Sequence, residues 1–212
     1  MDTKIRVLLV DDHAVVRAGF RLLLASVDAI EVVAEAARCE EACKLYEDWR
    51  PDVVVMDLSM PGIGGLEGIR RIVARDPEAK ILVFSIHDEK VYVDRALAAG
   101  AKGYITKNSA PEMLITAVRE IAGGNAFIEA GLNAAYAPPA GKNGQQSLLA
   151  ALSPKEFDVF RLLAKGLTTH EAANELCLGV KTVANYSTQI KAKLKVNTAA
   201  ELARIAIDSN II

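Results

Sequence analysis

The sequence predicts two domains of different class: an α/β domain on a five-stranded parallel sheet, then a small all-α domain of four helices. Three observations carry this reading. Short apolar runs alternate with amphipathic stretches through residue 123; periodicity fades from 124 to 148; and residues 149–212 hold only helical patterns. A chain of 212 residues is long for one domain and comfortable for two.

In the first domain, 1–123, strands read near 5–10, 31–35, 52–57, 80–85 and 103–106. Val7-Leu8-Leu9-Val10, Val53-Val54-Val55-Met56 and Ile81-Leu82-Val83-Phe84 are continuous apolar runs, as expected of parallel strands buried on both faces. Helical patterns fall near 14–25, 39–48, 64–75, 89–98 and 111–122. The first helix is expected to turn Val15, Val16, Phe20, Leu23 and Leu24 to the core, with Asp12 helping to cap it. Ser109, Pro111 and Glu112 predict a capping box for the last helix, with proline in its first turn. Cys39 and Cys43, four apart, share a helix face; with Cys177 they read as small buried or half-buried side chains, not a metal set or a redox pair.

Residues 124–148 read as a linker: Gly123-Gly124, Ala137-Pro138-Pro139-Ala140-Gly141 and Asn143-Gly144 are loop chemistry, with a helical turn expected within 129–136. The last domain, 149–212, opens three helices with S/T-x-x-E capping boxes: Ser153 with Glu156, Thr168 with Glu171, and Thr198 with Glu201. Gly166 separates the first two helices. A further helix starts near Val180 after Gly179 and runs through Leu194. Two short helices joined tightly, the second with polar residues outward, make a helix-turn-helix arrangement.

The formal net charge of −2 hides an asymmetry. Through residue 130 there are 16 Lys and Arg against 21 Asp and Glu; from residue 150 there are 8 against 6. The first domain would repel nucleic acid, and the second is able to approach it. No apolar stretch nears the length of a membrane span, and the chain runs from Met1 into a strand without a signal peptide, which points to a cytoplasmic protein.

Ligand sites in open α/β sheets lie beyond the carboxyl ends of the strands. Four such ends carry Asp11-Asp12, Asp57, Ser85 and Lys107. Singly, each aspartate reads as a turn or cap residue and the lysine as solvated. Jointly they make a site. Three close carboxylates raise one another's pKa, and one lysine does not offset them. A hard cation such as Mg2+ does, while leaving room for phosphate oxygens. Phosphoryl transfer to a carboxylate is the chemistry this suggests.

With Val10-Asp11-Asp12-His13, Met56-Asp57-Leu58-Ser59-Met60-Pro61-Gly62, Ser85 and Thr106-Lys107, the first domain resembles the flavodoxin-like receiver domain of two-component response regulators. The resemblance implies Asp57 as phospho-acceptor. It implies Mg2+ ligation by Asp12, Asp57 and the Ser59 backbone carbonyl, with Asp11 orienting the metal's waters. Lys107 would be the counter-ion, Ser85 the switch hydroxyl and Tyr104 the aromatic switch. The last domain resembles the LuxR-type helix-turn-helix through Leu152-Ser153, Glu156, Gly166, Glu171-Ala172-Ala173, Lys181-Thr182-Val183, Ile190, Lys193-Leu194 and Val196. The domain order is that of the NarL/FixJ family, and residues 60–67 resemble its GacA/UvrY-like members.

The family implies a sensor histidine kinase as phosphodonor, double-stranded DNA as target, and a homodimer formed on phosphorylation or DNA binding. By resemblance Ala184, Asn185 and Thr188 reach base edges, while Lys181, Thr182, Lys191 and Lys193 serve the DNA contact, the lysines on phosphate. Ala184, Thr169-His170 and Gly179 depart from the family pattern by removing donors or charge, so weak monomer binding is expected. Two other classes compete with this reading. A flavin or phosphatase enzyme lacks a phosphate-cradling glycine loop here. A phosphorylation-independent DNA- or RNA-binding regulator would not need Asp12, Asp57, Ser85 and Lys107 together. The reading is of a regulator, not an enzyme.

Overall fold

A computed structural model describes residues 4–60, 64–133, 149, 151–209 and 211–212. The chain divides into two compact units, Met1–Tyr136 and Ala137–Ile212.

The first unit alternates β1 (Ile5–Val10), α1 (Ala14–Ala25), β2 (Ile30–Ala36), α2 (Cys39–Trp49), β3 (Val53–Met56), α3 (Gly64–Arg75), β4 (Ile81–Ser85), α4 (Lys90–Ala98), β5 (Gly103–Thr106), α5 (Pro111–Ala122), β6 (Phe127–Ile128) and α6 (Ala130–Asn133). The strand order is β2-β1-β3-β4-β5-β6, with every pair parallel. The order reverses at β1, which lies between β2 and β3, so a crevice opens beyond the ends of β1 and β3. The apolar runs are buried on both faces, as their lack of alternation required: Val7 to Val10 and Val53 to Met56 are at most 1% exposed. Val7, Leu9, Val53, Val55, Leu82 and Phe84 join one core with Leu114, Val118 and Ile121 of α5. On another face, Cys39 lies 3.8 Å from the Met56 sulfur. Burial, helped by Cys43, pushes the Cys39 thiol up to about 12, so it stays protonated and unreactive.

Several expectations change. A sixth strand, β6, joins the five expected and lies inside the segment read as linker; α6 supplies the helical turn expected after it. Val15 faces solvent at 86% exposure, because the α1 side turned to the sheet is the one carrying Phe20, Leu23 and Leu24. Asp12 does not cap α1: the N-cap is His13 and makes no side-chain cap bond. Ser109 does not cap α5 either. Ala110 holds the N-cap position, and the Ser109 hydroxyl bonds Thr106 Oγ1 at 2.9 Å. Pro61 and Gly62, the proline-rich run 137–141 and Asn143-Gly144 lie outside the described residues.

The second unit holds α7 (Pro154–Ala164), α8 (Thr169–Glu175), α9 (Val180–Leu194) and α10 (Ala199–Asp208). All three capping boxes form, each with reciprocal side-chain and backbone bonds. Each cap is worth about 1 kcal/mol. Phe157, Phe160, Val183, Ile190 and Leu202 close the core. Cys177 is exposed, not half-buried as expected, because it takes the left-handed turn (φ 52°) between α8 and α9.

Candidate functional site

The strand ends of β1, β3 and β5 bring Asp11, Asp57 and Lys107 together. Asp11 and Asp57 are 2% and 3% exposed. The Lys107 ammonium spans them, donating to Asp11 Oδ2 at 2.6 Å and Asp57 Oδ2 at 2.9 Å. Burial raises the Asp57 pKa; Lys107 opposes it and Asp11 adds to it, and the carboxyl stays above its ordinary value. Burial also works against the Lys107 charge, but Asp57 and hydrogen bonds to both carboxylates outweigh it, and its pKa is raised.

Asp11, Asp12, His13 and Asp57 each offer a ligand atom, all within 4.8 Å of one another. Asp12 Oδ1 is buried and accepts no hydrogen bond, although His13 Nδ1 lies 2.9 Å away. One ammonium therefore faces three carboxylates, one with an unsatisfied oxygen. That donor set fits a hard divalent cation. His13 was not among the ligands expected from sequence; its only signal was its place beside the acidic pair.

The backbone beyond β3 is held close. The Ser59 amide donates to Asp57 Oδ1 at 3.2 Å, and a Cβ on Gly65 would lie 2.1 Å from the Asp57 carbonyl oxygen. Only glycine lets α3 start against the acceptor strand's end.

Ser85 is fully buried at the end of β4, where its Oγ accepts from the His87 amide at 3.3 Å. Tyr104 is also fully buried, and its hydroxyl donates to the His87 carbonyl at 2.8 Å. The tyrosine read as the aromatic switch thus lies inside the first unit. His87 connects these groups: its ring stacks on Tyr92 at 3.9 Å, and Nε2 lies 2.9 Å from Ser59 Oγ. Sequence reasoning missed His87 because nothing in its local pattern marks it.

In the second unit Lys181, Thr182, Ala184, Asn185 and Thr188 are exposed along α9, while Val183 and Ile190 anchor its other side. The Thr188 hydroxyl bonds back to the Ala184 carbonyl at 3.1 Å. Lys191 and Thr188 line a surface depression of about 470 Å³ with Lys195, a further cation not singled out from sequence. Lys193, expected from the sequence to contact phosphate, also pairs within its own unit. Its ammonium donates to Glu156 Oε2 at 2.6 Å, and Glu156 is 3% exposed. That charge offsets the burial of the Glu156 carboxylate, so Lys193 helps to brace the fold.

Residues 7–119 match the response regulator receiver domain family, and residues 150–206 match the bacterial regulatory proteins of the luxR family. The chain is 40% identical over 208 residues to the transcriptional activator protein ExaE of Pseudomonas putida, covering 97% of each chain. It is 37% identical over 204 residues to the response regulator UvrY of Escherichia coli (strain K12), covering 96% of this chain and 94% of that one. A solved structure of two RcsB dimers bound to two parallel DNAs aligns with a TM-score of 0.60 at 26% identity, over 96% of this chain and 98% of that one. Receiver domains hold Mg2+ at an acidic cluster of the kind built here by Asp11, Asp12 and Asp57. The chain therefore belongs to the NarL/FixJ family of two-component response regulators: a receiver domain followed by a LuxR-type DNA-binding domain, acting in transcription.

Proposed function

We propose that Asp57 is the phospho-acceptor and that a sensor histidine kinase is its physiological donor. The observation that carries this is the Lys107 bridge between two buried aspartates at 2.6 and 2.9 Å. Asp11, Asp12, Asp57 and the Ser59 backbone carbonyl would hold Mg2+, which when bound draws charge off phosphoryl oxygens. An Asp57 oxygen attacks the phosphorus of a phosphohistidine. The new O–P bond forms as the P–N bond breaks, and the freed imidazole takes up a proton. Lys107 then turns its ammonium to a phosphoryl oxygen, and Ser85 donates its hydroxyl to another. Tyr104 holds its inward position through the His87 carbonyl. The product is an aspartyl phosphate that serves as a signal, and the chain is read as a regulator, not an enzyme.

The receiver is taken as 1–123, the linker as 124–148 and the DNA-binding domain as 149–212, with β6 and α6 forming the part of the linker that stays with the sheet. α9 enters the major groove, with Ala184, Asn185 and Thr188 toward base edges and Lys181, Thr182 and Lys191 toward phosphate. The RcsB dimers on DNA support a homodimer as the binding form. Among the described residues no helix is long and apolar enough to cross a membrane. Kinase output, magnesium and the genome meet in the cytoplasm, where the protein is placed.

The test is treatment with a small phosphodonor and magnesium, followed by intact-mass measurement. One phosphoryl mass is expected, and none in Asp57→Ala; labelling that persists in that variant moves the acceptor elsewhere. For DNA, Asn185→Ala should lose about 1–3 kcal/mol of base discrimination with little change on nonspecific sequence. An unchanged sequence preference would remove Asn185 from the reading set.

A further inference from the structure

The strand β6 is short, yet the sheet is shaped to receive it. A Cβ on Gly103 would lie 2.5 Å from the Phe127 carbonyl oxygen and equally close to the Ile121 side chain. No other residue at 103 lets β6 reach the β5 edge without a clash. The pairing sets Gly103 opposite Phe127 and Tyr104 opposite Ile128. The Phe127 amide donates to the Lys102 carbonyl at 3.2 Å, and the Glu129 amide donates to the Tyr104 carbonyl at 3.1 Å. The next ladder position is filled by a side chain. The Thr106 amide donates to Glu129 Oε2 at 2.8 Å, so a carboxylate stands where a strand carbonyl would otherwise be.

The place of this bond gives it meaning. Thr106 directly precedes Lys107, whose amide donates to the Ser85 carbonyl at 2.7 Å and whose ammonium holds Asp11 and Asp57. Tyr104, one ladder step back, carries the hydroxyl held by His87. The segment bonded to this strand is the one from which the chain leaves the receiver toward the DNA-binding domain.

We propose that β6 is a strap coupling the β5 switch strand to the exit of the receiver, and that Glu129 is its latch. The proposal rests on the phospho-acceptor reading of Asp57. When Lys107 turns from Asp11 to a phosphoryl oxygen, the backbone at Thr106 and Lys107 shifts, the Thr106–Glu129 bond breaks, and a strap whose pairing spans two residues loosens. Two-residue pairings of this kind open readily. The signal thus passes along the main chain, without a new contact having to form.

The experiment is amide hydrogen exchange on the full-length protein, following Thr106 and residues 127–129, with phosphoryl mass read on the same samples. Glu129→Ala should speed exchange at Thr106 about tenfold in the absence of phosphodonor, because the amide loses a charged acceptor. Glu129→Gln keeps an oxygen acceptor and should show a smaller rise. Phosphodonor and magnesium should speed exchange in the unaltered protein by a similar factor, but leave Asp57→Asn unchanged. The ratio of DNA affinity with and without phosphodonor should shrink in Glu129→Ala. Exchange at Thr106 that is equal in Glu129→Ala and the unaltered protein overturns the latch. Phosphoryl mass gained with no change at 106 or 127–129 overturns the strap while leaving the acceptor reading intact. Absence of phosphoryl mass overturns both.

Discussion

Two lysines, one in each unit, hold a buried carboxylate, and they do opposite work. Lys193 donates to Glu156, whose same oxygen also accepts the Ser153 amide of the α7 capping box. Charge there is balanced one to one, and every donor serves the fold. Lys107 is shared between Asp11 and Asp57, with Asp12 beside them holding an unsatisfied oxygen. Charge there is left in surplus. A balanced pair is a brace. A surplus of buried negative charge asks for a cation and leaves one carboxylate able to change its partner. The contrast shows how to tell a switch lysine from a structural one: count the carboxylates around it.

The largest expected effect tests that contrast. Lys193→Ala should cost about 2–3 kcal/mol of stability in the second unit, since Glu156 is left buried without its counter-charge. Magnesium should restore none of it. Lys107→Ala should lower the stability of the first unit by a similar amount in chelator, and magnesium should recover about 1.4 kcal/mol at tenfold excess over its Kd. Thermal unfolding with and without magnesium checks both variants. A magnesium response of the second unit in Lys193→Ala, or none of the first unit in Lys107→Ala, breaks the distinction.

A smaller effect concerns pH. The Asp57 carboxyl is raised in the fold, chiefly by burial, with Lys107 opposing. A carboxyl raised on folding stabilises while protonated, below its unfolded value of about 3.9, and that contribution is lost as pH rises through the folded value. Asp57→Asn should therefore raise the unfolding midpoint at neutral pH in chelator, with the gain shrinking toward pH 4. Denaturant unfolding at both pH values reads this. A gain that grows on acidification would mean the folded carboxyl lies below its ordinary value, and Lys107 would then dominate the site.

The smallest effect compares two serines with the same local pattern. Ser153→Ala should cost about 1 kcal/mol through its capping box, whereas Ser109→Ala should cost much less, because Ser109 sits outside the N-cap. Equal losses would restore Ser109 as a cap.

That pair also marks where local reasoning stops. A capping box is made within four residues, so Ser153, Thr168 and Thr198 were readable as written. Ser109 carried the same signal, but Thr106 engages its hydroxyl. Val15 matched the helical period, yet the face of α1 turned to the sheet was set by where the sheet lies.

The amino-acid order alone determined the alternation of strands and helices, the two-domain plan and the carboxylates at the strand ends. Continuous apolar runs reveal both the buried parallel strands and where each one stops. Only the tertiary structure decided how the charges are shared. Lys107 meets Asp11 across 96 positions and Lys193 meets Glu156 across 37, distances over which no sequence period operates. It also decided that His87 links Ser59 to Tyr92 and that Glu129 completes the ladder at Thr106. Those partners are set by the crossing of separate elements, and a linear pattern holds no record of which elements will cross.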